Sequence, residues 1–132
     1  MNPAVNPELT KLTQNDRVAK LLGLRLIRVE PNYALVEMEI REDHLNGIGG
    51  LHGGVIFSLA DYAFAVACNS GGVPTVAVNA SISYFKAAKG KIISAEASEV
   101  SSGRKICCCQ VDVFDEDKTL IARFSGTGYR KT

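Results

Sequence analysis

The sequence has almost no excess charge of either sign: 15 Lys and Arg residues against 14 Asp and Glu residues give a formal net charge of +1 at pH 7. This balance gives no electrostatic reason to expect a nucleic acid or an anionic membrane as a partner. The chain lacks an uncharged apolar run long enough to span a bilayer. Its first residues, MNPAVNPELTKL, lack the basic and then apolar order of a signal peptide. We therefore expect one cytoplasmic domain over residues 1–132, with residues 1–22 as an N-terminal helical extension.

The cysteines have neither the spacing of a disulfide framework nor that of a metal site. Cys107, Cys108 and Cys109 are adjacent, and Cys68 stands alone in the sequence. Neighbouring residues of a strand point to opposite faces, so this run is not expected to bring three thiolates to one metal ion. We expect no metal site and small, buried, reduced cysteines; the alternative is a reactive thiol.

Apolar periodicity predicts two helices and six strands. Residues 8–22 have the pattern of an amphipathic helix, with five apolar side chains available for packing: Leu9, Leu12, Val18, Leu21 and Leu22. Residues 54–69 form a second and far more apolar helix. The predicted strands are residues 24–30, 33–40, 75–85, 91–100, 105–114 and 119–130. This order predicts an α+β fold in which one antiparallel sheet packs on a long hydrophobic helix.

The helix over residues 54–69 has almost no polar face. A helix that is apolar all round is usually buried on all sides. A sheet covers only one of those sides, so we expect a second copy of the protein to cover the rest.

Asp61 is the only charged residue between His44 and Phe85. It could lie at a solvent-facing edge or accept a hydrogen bond from Ser58 or Tyr62. In an apolar surround, however, a carboxylate is costly to ionise, and its pKa rises toward the range of a general base.

The segment His52-Gly53-Gly54 precedes this helix, where the first backbone N–H groups lack intrahelical partners. Such a terminus suits a phosphate, a carboxylate or a developing oxyanion, although paired glycines are also common in plain turns. The segment lacks the ending of a nucleotide-binding P-loop. Gly53 and Asp61 are eight residues apart, which is about 12 Å along a helix. One chain cannot bring both to one carbonyl, whereas two antiparallel helices in a dimer could.

The ordering Asn46…His52-Gly53-Gly54…Asp61, followed by AFAVACNS, SISYFKAAKG and the terminal GTGYR, resembles the PaaI-like acyl-CoA thioesterases of the hot-dog fold. The resemblance implies an antiparallel sheet wrapped around the central helix, and dimers that commonly pair into homotetramers. It implies that the Gly53 N–H polarises the thioester oxygen and that Asp61 of the neighbouring chain is the nucleophile or base. Asn46 and His52 would then hold the carbonyl or the water and orient the loop.

The same resemblance implies a coenzyme A site on the strand after the helix and on a hairpin. The implied residues are Gly54, Asn79, Tyr84, Lys86, Lys89, Ser102, Gly103 and Arg104. No separate cofactor is expected, because coenzyme A is part of the substrate. An aryl acyl group such as phenylacetyl is the first substrate to consider.

Two other classes stay open at this point. Hot-dog hydratases and dehydratases use a His and an acid to move a proton beside a thioester carbonyl. A non-catalytic acyl-CoA-binding protein would keep the pocket without needing Asp61. His44 is interpreted as a loop residue, and a positioning role for His52 is an alternative to proton transfer.

Overall fold

The computed structural model describes residues 6–131. Residues 1–5 of the predicted extension, and Thr132, lie outside the described residues. The helices are α1 (Pro7–Asn15), α2 (Arg17–Leu22) and α3 (Gly53–Asn69), with a short 3-10 helix over Glu42–His44. The strands are β1 (Arg25–Glu30), β2 (Tyr33–Glu39), β3 (Thr75–Tyr84), β4 (Ile92–Ser102), β5 (Ile106–Asp115) and β6 (Leu120–Arg130). Each predicted strand is present, with its ends shifted by at most two residues. Within residues 6–131, no helix is long and apolar enough to cross a membrane.

The sheet contains all six of these strands in the order β1-β2-β4-β5-β6-β3, and every pair is antiparallel. Side chains of β2, β4 and β5 alternate between buried and more accessible positions, as expected for a sheet with one face on the core. Helix α3 contacts all six strands. The predicted architecture, an antiparallel sheet wrapped around a long central helix, is confirmed.

The predicted helix over residues 8–22 is in fact two helices, because the backbone leaves the helical region at Asp16 (φ −74°, ψ 100°). Asp16 instead caps α2, since its side chain accepts a hydrogen bond from the Ala19 N–H at 2.9 Å. Asp favours such caps because its side chain competes for nearby backbone groups. The break buries Ala19 and leaves Val18 and Leu21 exposed to 56% and 72%, so the prediction that these two pack inward was wrong. The other predicted packing residues join the core: Leu9, Leu12 and Leu22.

The buried surface of α3 is covered in part by the N-terminal helices. Both α1 and α2 contact α3, and their buried residues Leu9 and Ala19 belong to the same core as the helix. From the sequence we expected a second copy of the chain to cover all of this surface. That expectation is corrected, because residues 7–22 cover part of it.

Strand β3 is an edge strand with an apolar, exposed surface. Of its ten residues only Thr75, Ala80 and Ile82 are partly buried. Val76 and Val78 are exposed to 43% and 60%. A long, apolar sheet edge with unpaired backbone groups is a template for pairing with another strand. The exposed edge of β3 is thus available for pairing with another strand.

The cysteines are free, and three of them converge. Cys107 and Cys109 occupy alternate positions of β5 on the face that meets Cys68 of α3, and the three are buried. Their sulfur atoms are 3.4, 3.6 and 3.9 Å apart. Cys108 is only partly buried, and its sulfur lies 3.8 Å from Thr127 Oγ1. Strand alternation separates Cys108 from its neighbours as predicted, and helix packing brings Cys68, which is distant in the sequence, to the other two.

Candidate active site

Asp61 lies on α3 where two cavities meet. The larger, of about 360 Å³, lies between α2 and α3, and its lining includes Asp16, Val18, Leu24, Phe57, Ser58, Tyr62 and Asp61 itself. The smaller, of about 170 Å³, lies between α3 and the start of β3, and its lining includes Phe64, Cys68, Thr75 and Asp61. One carboxylate therefore borders both spaces.

The Asp61 carboxylate has no hydrogen-bond donor or ion-pair partner among residues 6–131. The Ser58 hydroxyl donates to the Gly54 carbonyl at 2.9 Å, and Tyr62 makes no bond to the acid. The interpretation in which one of these hydroxyls satisfies Asp61 is thus wrong. Burial raises the pKa of the Asp61 carboxyl, and the negative charge of Asp16 raises this pKa further. A raised pKa and an unpaired carboxylate suit a general base.

The start of α3 is held by His52, which is its N-cap residue. The ring Nδ1 accepts a hydrogen bond from the Gly54 N–H at 2.8 Å, and the His52 carbonyl accepts from Val55 and Ile56. Within the described part of the chain, the Gly53 N–H has no acceptor. The geometry thus leaves a backbone donor at the positive end of the helix dipole, and it gives the His52 ring a positioning role through Nδ1.

Tyr84 covers the other side of Gly53. Its hydroxyl donates to the Gly53 carbonyl at 2.9 Å, and a Cβ added to Gly53 would lie 3.3 Å from the ring. Tyr84 was predicted as a contact to coenzyme A. The structure shows it fixing the backbone of Gly53, which brings the end of β3 to the start of α3.

Asn46 organises the loop before α3. Its side-chain oxygen accepts hydrogen bonds from the Ile48 and Gly50 N–H groups, both at 3.0 Å. Its amide NH₂ has no acceptor among the residues described, so it can donate outward. His44, which we interpreted as a loop residue, is fully buried: Nδ1 accepts from the Arg41 N–H, and Nε2 lies 2.9 Å from the Leu22 carbonyl.

The residues predicted to bind coenzyme A form two groups in one chain. Tyr84, Lys86 and Lys89 lie at the end of β3 and in the loop after it. The hairpin Ser102–Arg104 lies at the other end of the sheet. Ser102 pairs with Cys107 of β5, and Cys107 pairs with Gly128 near the end of β6. The end of β6 in turn pairs with the start of β3, not with its end. The ten residues of β3 separate the two groups by about 30 Å. Within one protomer, the hairpin is therefore far from the end of β3. Asn79 is exposed in the middle of β3 beside a register shift.

Two residues around the site were not predicted from the sequence. Asp16 borders the larger cavity and affects the pKa of Asp61, but its place inside one continuous amphipathic pattern gave no signal of either property. Arg130 holds the hairpin through Ser102 Oγ at 3.0 Å and the Gly103 carbonyl at 3.2 Å. Arg130 is the last residue of the GTGYR segment that carried the family resemblance. No local sequence pattern, however, identifies the hairpin as its partner.

The chain is similar in sequence and in structure to known thioesterases. The sequence model of the Thioesterase superfamily matches residues 48–122. The acyl-coenzyme A thioesterase PaaI of Escherichia coli strain K12 is 34% identical over 118 residues, which cover 89% of this chain and 84% of that protein. Human acyl-coenzyme A thioesterase 13 is 30% identical over 117 residues, covering 86% and 84%. The solved structure of the E. coli PaaI protein from the phenylacetic acid degradation operon superimposes with a TM-score of 0.89 at 31% identity, covering 93% of this chain and 90% of that one.

Proposed function

Because the chain belongs to the thioesterase superfamily, as a PaaI-like hot-dog thioester hydrolase, we propose that it hydrolyses an aryl acyl-CoA such as phenylacetyl-CoA. The products are the free acid and coenzyme A. The observation that carries the proposal is the unpaired Asp61 carboxylate at the junction of two cavities.

The two cavities suit the two reactants. The larger, at about 360 Å³, falls within the range of small-molecule sites, roughly 300–1,000 Å³. Phe57 and Tyr62 on its wall offer aromatic contacts to an aryl acyl group. The smaller cavity, at about 170 Å³, has room for the attacking water. We assign Asp61 as the general base, because it borders both spaces.

In this reaction Asp61 removes a proton from water while the water oxygen attacks the thioester carbon. The carbonyl oxygen gains negative charge, which a backbone N–H stabilises. Collapse of the tetrahedral intermediate breaks the C–S bond. The coenzyme A thiolate leaves and receives the proton from Asp61, which restores the carboxylate.

The N–H donor is Gly53 of a second chain. The two groups of one chain are about 12 Å apart along α3, too far for one carbonyl. Antiparallel pairing of two β3 edges about a two-fold axis would place the Thr75 end of one strand beside the Tyr84 end of the other. It would also bring the Ser102–Arg104 hairpin of one chain toward Lys86 and Lys89 of the other. The predicted coenzyme A residues then form one site, and we propose this dimer, which pairs further into a tetramer, as the active form.

The hydratase alternative fits less well. It needs a histidine that moves a proton beside the thioester carbonyl, whereas the His52 ring accepts the Gly54 N–H through Nδ1 and so holds the start of α3. A protein that only binds acyl-CoA would not need an unpaired carboxylate at the cavity junction.

A substrate series tests the proposal. Initial rates of coenzyme A release are measured with phenylacetyl-, benzoyl-, acetyl-, hexanoyl- and palmitoyl-CoA, with the wild type and with Asp61→Asn. We expect the highest kcat/KM for the aryl thioesters and loss of turnover in Asp61→Asn. A preference for aliphatic chains that still depends on Asp61 would contradict the aryl assignment and leave the thioesterase role intact. Hydrolysis that is equal in the two proteins would contradict the role of Asp61.

A further inference from the structure

We propose that Cys68, Cys107 and Cys109 form a binding site for one thiophilic d¹⁰ metal ion, of the Zn²⁺ type, between α3 and β5. Their sulfur atoms lie 3.4, 3.6 and 3.9 Å from one another. Tetrahedral Zn²⁺ with Zn–S bonds of about 2.3 Å holds its sulfur ligands about 3.8 Å apart. The three sulfurs therefore already form one face of a tetrahedral site, and shifts of a few tenths of an ångström complete it.

We assign Glu99 as the fourth ligand after a rotation of its side chain, because its carboxylate oxygens do not lie within 4.8 Å of all three sulfur atoms in this structure. Its Oε2 lies 3.5 Å from Cys107 Sγ, close to the separation of about 3.5 Å that an oxygen and a sulfur have on one tetrahedral Zn²⁺. Glu99 is paired with Cys109 across the sheet, and the register shifts directly after it. Such bulges redirect side chains. Rotation of the Glu99 side chain toward the thiols brings it to the open position.

One acidic and one basic side chain lie beside the cluster. The Glu99 side chain is exposed to only 16% and the Arg130 side chain to 15%, and they lie 3.8 Å apart. Binding replaces three S–H bonds by metal–sulfur bonds and releases three protons. Three thiolates and one carboxylate around a divalent ion leave two negative charges, of which Arg130 offsets one.

An ion has a route to the cluster, and its binding has a structural consequence. Cys68 forms part of the wall of the cavity of about 170 Å³ that also borders Asp61. A metal bond between Cys68 near the end of α3 and two residues of β5 would tie the central helix to the sheet. It would thereby fix one wall of that cavity.

The test uses the full, untagged, reduced protein, first treated with a chelator and then desalted. One equivalent of Zn²⁺ is added, free ion is removed, and the metal content per chain is measured. We expect about one Zn²⁺ per chain and a rise in Tm of at least about 5 °C at saturating metal. Co²⁺ in place of Zn²⁺ should give thiolate-to-metal charge-transfer absorption. Absence of both stoichiometric Zn²⁺ and this absorption in the wild type would overturn the proposal without any variant.

Cys108→Ala is the matched control for Cys109→Ala. The two residues are neighbours on β5, but Cys108 lies outside the cluster. We expect Cys108→Ala to bind Zn²⁺ like the wild type and Cys109→Ala to lose the ion and the Tm rise. If Cys109→Ala does not fold, Cys68→Ala replaces it. Equal metal binding by the control and the cluster variants would mean that the ion is held elsewhere, and would overturn the proposal.

Discussion

Replacing Gly53 by proline removes one N–H group from the start of α3 and adds a pyrrolidine ring whose Cβ lies near Tyr84. Gly53 is the first helical residue after its cap, His52. Proline is favoured at this position because its fixed φ suits the helix and the missing N–H has no intrahelical partner. The preceding residue has ψ 133°, as proline requires of the residue before it.

The expected loss follows from the geometry. The Gly53 N–H has no acceptor among residues 6–131, so its removal breaks no bond of the fold. If it stabilises the oxyanion, its loss lowers kcat by roughly 10²- to 10³-fold, or about 2.7–4 kcal/mol. Gly53→Ala is the control, because it adds the same Cβ, 3.3 Å from the Tyr84 ring, and keeps the N–H. Tyr84 is 51% exposed, so its ring can shift away.

The assay is steady-state release of coenzyme A, with thermal unfolding as a check on folding. We expect Gly53→Pro to lose kcat while Gly53→Ala stays within a few-fold of the wild type. Equal losses in both variants would assign the effect to the displaced Tyr84. Full activity in a folded Gly53→Pro protein would refute the oxyanion role of this N–H.

Three further predictions concern the acid and the loop. Asp61→Asn should lower kcat at least about 10²-fold, yet raise Tm at pH 7. Burial raises the pKa of Asp61 in the folded state. The stability of the wild type therefore falls as the pH rises from the unfolded-state pKa of Asp61 through its folded-state pKa. A Tm of Asp61→Asn at or below the wild-type Tm at neutral pH would contradict this sign. Asp16→Asn keeps a good cap but removes the charge that helps to raise the pKa of Asp61. The acid limb of the pH profile of kcat/KM should therefore move to lower pH. An unmoved acid limb would show that Asp16 does not act on Asp61. Asn46→Ala should lower kcat less than Asp61→Asn, because Asn46 orients the loop and does not react; a larger loss would place it in the chemistry.

The sequence was sufficient to predict the strands and the central helix, because alternation and apolar periodicity are local properties. It was also sufficient to single out Asp61, since no other charge occurs between His44 and Phe85. It did not predict the break at Asp16, where a capping bond to Ala19 overrides an amphipathic pattern that continues on both sides.

Contacts distant in sequence were the other source of error. The convergence of Cys68 with Cys107 and Cys109 depends on how α3 packs on β5. The placement of Tyr84 and the Ser102–Arg104 hairpin at opposite ends of the sheet depends on strand order. Neither follows from spacing along the chain. The larger cavity beside Asp61 depends in the same way on the position of α2.

Mixing two inactive variants tests the shared site most directly. One chain carries Asp61→Asn and the other Gly53→Pro, each with a different affinity tag, and assemblies that carry both tags are isolated. If Asp61 of one chain acts with Gly53 of the other, each two-fold mixed dimer has one intact site and one doubly defective site, and activity returns to about half of the wild-type value. If mixed assemblies form but stay as inactive as their parents, both groups act within one chain, and the shared site is contradicted.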